Sequence, residues 1–217
     1  MRILAVTQNI TLDGSVEILD DWFDPQGSAD ASDQQAANRE LSAECDAILL
    51  GRRTFEDFRG YWPMQSDDPT GVADELNRIR KYVVSSTLTD PQWQNTTIID
   101  GNLVPAVTAL KQAPGRTIVA TGSISLCHAL FRAGLVDQVN LWTFPTVQGR
   151  GRRLFPDGYA PDLLRLADCR SFRSGVVLTT RCTDRNVSAG TVPAAATHGG
   201  PAARRPRPGP IGPAHSP

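Results

Sequence analysis

Three short stretches set hydroxyls, glycines and arginines where strands end, and each suits an anionic ligand. Gly51-Arg52-Arg53-Thr54 brings a glycine, two guanidinium groups and a hydroxyl to the start of a helix. The first-turn N–H groups of a helix are unpaired and carry the positive end of its dipole, so arginines beside them suit a phosphate. A solvated basic turn has the same composition, and this stretch alone does not separate the two. Ser85-Ser86-Thr87 places three consecutive hydroxyls, neutral donors and acceptors, at the C-terminal end of the strand 81–84. Thr121-Gly122-Ser123-Ile124 is a small-residue turn from a β-branched strand, 117–121, into a helix whose Ile124, Cys127 and Phe131 share one face. Taken by itself, that turn is better described as an ordinary strand-to-helix connection.

The elements that must position these stretches alternate along most of the chain. A first strand is expected over 2–8, followed by a loop, Asn9 to Gly14, whose Asp13-Gly14 marks a tight turn. The acidic stretch 20–33 has no periodicity and holds Trp22 and Phe23 as its large apolar groups, the character of a lid or binding loop. Asp33 is expected to cap the helix that carries Ala37 and Leu41, and that helix leads into a buried strand, 47–50. Further helices are expected over 54–59 and 72–79, with the aromatic loop Gly60-Tyr61-Trp62-Pro63 between them, and another carries Leu103, Val107 and Leu110. Strands are expected at 81–84, 97–99, 117–121 and 136–144. After the glycine-rich basic loop 149–153, the segments 163–172 and 176–182 read as an antiparallel hairpin around Arg173-Ser174-Gly175. The fold class is therefore α/β: a mixed, mainly parallel sheet flanked by helices and closed by a C-terminal antiparallel hairpin.

Composition bounds the function. The 217 residues are 40% hydrophobic, enough for one core, expected over 1–185. From 186 to 217 the chain becomes rich in Pro, Ala and Gly and is expected to be a disordered tail. Taking its Arg204, Arg205 and Arg207 away from the net charge of −1 leaves −4 on the rest, which argues against nucleic-acid binding. No apolar run is long enough to cross a bilayer and the start turns polar at Thr7, so a cytoplasmic protein is expected. Cys45, Cys127, Cys169 and Cys182 form no C-x-x-C pair, and no metal site is expected.

In their order and spacing the three stretches resemble the dihydrofolate reductase-like family, including the reductase domain of bacterial riboflavin biosynthesis enzymes. The likeness runs from about Met1 to Cys182. It is carried by Leu49-Leu50-Gly51-Arg52-Arg53-Thr54-Phe55-Glu56, by Lys81-Tyr82-Val83-Val84-Ser85-Ser86-Thr87-Leu88, and by Gly134-Leu135-Val136-Asp137 with Pro145-Thr146-Val147-Gln148-Gly149-Arg150-Gly151. The resemblance implies an NADPH-binding fold. Arg52, Arg53 and Thr54 would face the 2′-phosphate and pyrophosphate, Ser85, Ser86 and Thr87 the adenine-ribose end, and Thr121, Gly122, Ser123 and Ile124 the pyrophosphate, with Gly149 nearby. Asn9, Asp13, Trp22 and Trp62 are the expected substrate contacts, and Asp33 and Glu40 are the nearest candidates for the family's proton-donating carboxylate, Asp33 being taken for that role although neither sits in a matching motif. Relatives carry a double glycine where this chain has Gly122-Ser123.

These readings lead to an NADPH-dependent reductase that passes hydride to a small conjugated molecule, pteridine-like or aminopyrimidine-like. A domain that binds a nucleotide or drug without turnover is the alternative. No H-x-E with P-C-x-x-C is present in these residues, so they are not expected to supply the zinc deaminase activity of the bifunctional riboflavin enzymes. The apolar late strands, around Leu141-Trp142-Thr143-Phe144 and Val176-Val177-Leu178, are either covered by a second copy in a homodimer or buried within the monomer.

Overall fold

Alternation along the first strand assigns the two faces of the sheet. In β1 (Leu4–Thr11), Leu4, Val6, Gln8 and Ile10 point to one side and Ala5, Thr7, Asn9 and Thr11 to the other. The computed structural model describes residues 1–24, 31–155, 157–159 and 164–183. After β1 come α1 (Ser32–Ala43), β2 (Cys45–Gly51), α2 (Arg52–Tyr61), a single 3₁₀ turn (Trp62–Met64), α3 (Val72–Arg78), β3 (Arg80–Val84) and β4 (Thr96–Ile99). Then follow α4 (Leu103–Gln112), β5 (Thr117–Thr121), α5 (Ile124–Arg132), β6 (Gln138–Phe144), β7 (Leu164–Ser171) and β8 (Val177–Thr183). One sheet runs β4-β3-β2-β5-β1-β6-β8-β7. The pairs from β4 through β6 are parallel, while β8 runs antiparallel to both β6 and β7. The tail expected from 186 onward lies outside the described residues.

Three apolar clusters hold helices to this sheet. On the first face, Leu4, Val6, Leu49 and Ile118 pack with Val107 of α4 and with Leu130 and Phe131 of α5. On the second face, Ile48, Leu50 and Val83 pack with Phe55 of α2, Leu76 of α3 and Trp62. Further along the same face, Trp142 and Leu178 pack with Val176 and with Ala37 of α1, and Leu41 lies against them. Between the last two clusters the central strands β5 and β1 have no helix over them, and a cleft results.

Two buried lysines knit the frame. Lys81 donates to the carbonyls of Leu76 at 2.6 Å and Ile79 at 2.9 Å, closing the end of α3, and its ammonium lies 4.6 Å from the centre of the Trp93 ring. Lys111 on α4 pairs with Asp137 Oδ2 at 2.6 Å and donates to Leu135 O at 2.7 Å, while the same Asp137 oxygen accepts from the backbone N–H of Leu4 at 2.8 Å. One carboxylate thereby joins α4, the approach to β6 and the start of β1.

The structure corrects several expectations. β1 continues to Thr11, so Asn9 stands in a strand rather than a loop. Asp33 does not cap its helix: α1 begins at Ser32 after the N-cap Ala31, which makes no side-chain cap, and Asp33 lies within the first turn. β6 is an interior strand between β1 and β8, and Trp142, Val176 and Leu178 are buried in the monomer. Leu141, Phe144 and Val177 beside them are half-buried. The strand left at that edge is β7, most of whose residues are exposed.

Candidate functional site: a phosphate-type cradle opening into a cleft

Two helix N-termini meet at the C-terminal ends of β2 and β5. α2 follows Gly51 and α5 follows Ser123, and neither start has a side-chain cap or an acidic residue in its first turn. Elsewhere the chain treats helix starts differently: Asn102 caps α4 by accepting from Val104 N at 3.2 Å, and α1 and α3 carry acids in their first turns. The two uncapped ends therefore present unneutralised positive dipole ends side by side. Hydrogen bonds lock them together, because Gly51 N donates to Ser123 Oγ at 2.7 Å and Ser123 N donates to Thr54 Oγ1 at 2.9 Å. Approach this close needs a glycine at 122. Its φ is +62°, and a Cβ there would stand 2.6 Å from Thr54 Cγ2. Ser123 follows with φ +30°, and no cis peptide bond occurs among the described residues.

Arg52 reaches from the start of α2 to Thr87, donating to its Oγ1, and it also meets Glu56 at 3.1 Å. Ser85 Oγ accepts from the backbone N–H of Thr87 at 3.2 Å and of Leu88 at 3.0 Å, so it shapes the turn that presents Thr87. Arg53 is exposed and makes no ion pair with another described residue, and Ser86 is exposed as well. Ile124 supplies backbone only, since its side chain is buried in the first-face core. The residues expected at Gly51 to Thr54, Ser85 to Thr87 and Thr121 to Ile124 thus come together at one end of the sheet. Their donor set, two guanidinium groups, hydroxyls and two helix starts, fits a dinucleotide with several phosphates.

At Thr121 and Gly122 the cradle opens into the cleft, which has a volume of about 810 Å³. Gln8, buried in β1, fixes the junction by donating to Gly122 O at 2.8 Å. The cleft floor is a polar row running across three strands: Thr121, Thr7 and Asn140 are successive register partners and all line the cleft. Asn140 Nδ2 donates to Thr7 Oγ1 at 3.2 Å, and Gln138 Nε2 donates to Asn140 Oδ1 at 3.0 Å. Trp62, Phe58 and Trp142 supply flat apolar walls, and Asn9 lines the cleft as expected.

Other expected contacts have structural work instead. Asp33 Oδ2 accepts from Arg173 N at 3.0 Å and lies 3.5 Å from its guanidinium, tying α1 to the β7–β8 turn, and it does not line the cleft. These bonds hold its carboxyl below the usual carboxylate range, which favours an anion rather than a proton donor. Asp13 accepts from Thr11 Oγ1 at 2.6 Å, Gln148 N at 3.1 Å and Gly149 N at 2.7 Å. Trp22 packs edge-on to Phe144, with centroids 5.2 Å apart, and donates to Gln148 Oε1 at 2.8 Å. Gln148 is the hub here: its Nε2 donates to Ser15 Oγ at 2.8 Å, Glu17 O at 3.1 Å and Arg150 O at 3.0 Å. Gly149 belongs to this strapped loop, with φ +72° and open space around it.

A pH test follows from Asp13. The Thr11 hydroxyl, followed by the backbone N–H groups of Gln148 and Gly149, lowers its pKa from 3.8 to about 2. A depressed carboxyl pKa stabilises the tether above the unfolded value, and this contribution is lost as the pH falls through the folded one. Trp22 emission is therefore expected to hold steady down to about pH 4 and to change as the pH approaches 2. In Asp13→Asn the change is expected to be present already at neutral pH.

Comparison with known proteins agrees with this geometry. Residues 2–178 match the family described as the RibD C-terminal domain. The chain is 32% identical over 183 residues to the Bacillus subtilis protein YyaP, described as uncharacterized, covering 81% of this chain and 92% of the relative. It is 26% identical over 167 residues to YwjB of the same organism, also described as uncharacterized, covering 76% and 86%. Two crystal structures share the fold. One, from Shewanella sp. PV-4, is assigned to riboflavin biosynthesis by name, with a TM-score of 0.62 at 19% identity over 83% of this chain and 98% of that one. The other is a pyrimidine reductase-like protein from Corynebacterium diphtheriae, with a TM-score of 0.57 at 16% identity over 83% and 91%. Among the described residues no helix is long and apolar enough to cross a membrane. With a family match that spans most of its length and two solved structures that share its fold, the chain belongs to the RibD C-terminal domain family, whose fold is dihydrofolate reductase-like.

Proposed function

We propose that this protein is an NADPH-dependent reductase acting on a small conjugated substrate, pteridine-like or pyrimidine-like, held in the cleft. The observation that carries the reading is the junction at Gly122, where the arginine-flanked cradle and the aromatic-walled cleft meet. Arg52, Arg53 and Thr87 would hold the adenosine end with its 2′-phosphate, and the starts of α2 and α5 the pyrophosphate. NADPH, when bound, supplies the hydride. The protein holds the substrate plane against Trp62 and Trp142 and excludes water there. Asn9 is suited to orienting a substrate heteroatom or a water molecule, because its carboxamide makes no hydrogen bond to another described residue.

Titration by fluorescence tests the cofactor half. NADPH is expected to bind at least about tenfold more tightly than NADH, since charge-assisted bonds to the 2′-phosphate contribute roughly 1.5–3 kcal/mol. Equal affinities would remove the cofactor assignment. The second reading, a binding module without turnover, draws on the engagement of Asp33 by Arg173, which leaves that carboxylate away from the cleft. It requires NADPH to bind without ever being consumed.

A further inference from the structure

We infer that the cleft selects an uncharged or cationic planar heterocycle and rejects substrates bearing a phosphate or carboxylate. The inference rests on the reductase reading only for what happens after binding. Four carboxylates line the cleft, Asp24, Glu44, Asp57 and Glu75, and among the described lining residues there is no lysine, arginine or histidine. Several nearby cations are engaged elsewhere. Arg59 donates to Pro91 O at 3.0 Å, Arg173 is held by Asp33 and Ser32, and Arg170 by Glu40 and Asp168. Arg52 and Arg53 stand at the cradle end and not among the cleft residues.

What the cleft does offer is neutral. Asn9, Gln35 and Asn38 line it, and their carboxamides make no hydrogen bonds to other described residues. Each can donate and accept, which suits the alternating N–H and C=O edge of a lactam-type ring. The polar floor of Thr7, Thr121 and Asn140 and the walls of Trp62 and Trp142 suit its faces. A phosphate placed here would lose water without gaining a cation from the lining, and it would meet the like charges of Glu75 and of the exposed Asp24, Glu44 and Asp57. Anionic groups are drawn to the cradle instead, so charge sorts two ligands that adjoin at Gly122: phosphates to the α2 and α5 starts, and the unphosphorylated ring to the carboxylate-lined side.

Matched pairs test this directly: pterin against pterin-6-carboxylate, and uridine against its 5′-monophosphate, each followed by quenching of tryptophan emission. The uncharged member is expected to bind at least about tenfold more tightly, with a gap that narrows as salt is raised. Asp57→Lys is expected to raise affinity for the anionic members by about tenfold. An anionic member that binds as tightly as its partner would overturn the inference, and so would failure of both members of both pairs to bind. Turnover is read separately. A protein that shows the preference but consumes no NADPH retains the inference and loses the reductase reading. One that consumes NADPH fastest with an anionic acceptor retains the reading and loses the inference.

Discussion

Replacing Arg52 and Arg53 together by alanine is expected to weaken NADPH about 10- to 150-fold while leaving NADH within about twofold, as loss of charge-assisted bonds worth 1.5–3 kcal/mol requires. The asymmetry is the informative part. Both cofactors share the pyrophosphate, which the backbone N–H groups at the α2 and α5 starts remain available to hold. Only NADPH adds a 2′-phosphate, and a planar guanidinium can meet it with two parallel bonds. Arg52 also donates to Thr87 and meets Glu56 in the wild type. Both contacts are at the surface, so their loss is expected to shift stability by under about 1 kcal/mol. Equal weakening of the two cofactors would make the arginines supports for the Ser85–Thr87 turn rather than ligands. Paired fluorescence titrations, with a thermal melt of each variant, distinguish the two results.

Asp137→Ala is expected to cost about 3–5 kcal/mol of stability in urea unfolding, because it leaves the Lys111 ammonium buried without its partner. It also strips the Leu4 N–H of its acceptor at the first residue of the central strand β1. A double variant, Lys111→Met with Asp137→Leu, removes both charges at similar volume and is expected to be more stable than Asp137→Ala alone. Loss of less than about 1 kcal/mol in Asp137→Ala would show that water reaches the pair and screens it. Neither residue lines the cleft, so cofactor affinity is expected to follow the folded fraction alone.

How much of this was legible in the sequence varies with the kind of signal. The parallel strands were readable because Ala47-Ile48-Leu49-Leu50 and Thr117-Ile118-Val119-Ala120 are apolar runs, as burial on both faces demands. The cradle was readable because its residues are adjacent in sequence and sit at strand-to-helix turns, where local physics creates anion sites. Gln148 lay within a recognised stretch, yet its role depends on Ser15, Glu17 and Trp22, contacts more than 120 positions away that no local pattern encodes. Asp33 was misplaced for a related reason. A first-turn acid is a natural helix-start residue, and only the arrival of the β7–β8 turn shows that Arg173 claims it. The cleft floor left a trace that could have been followed: Thr7 and Asn9 alternate with Val6, Gln8 and Ile10 in a central strand. Polar residues on one face of such a strand need a reason, and here it is a face with no helix over it. Gln8 leaves no such trace, since its value lies in one bond to the Gly122 carbonyl across the sheet.

The central claim is that cradle and cleft together form a reductase site, and NADPH absorbance followed against a panel of uncharged pterins, pyrimidines and flavin precursors tests it most directly. The account predicts that at least one acceptor drives NADPH consumption with matching formation of reduced product, and that the Arg52→Ala, Arg53→Ala double variant slows it at subsaturating cofactor. NADPH that is shown by fluorescence to saturate the protein, yet is consumed with no member of the panel, would contradict it.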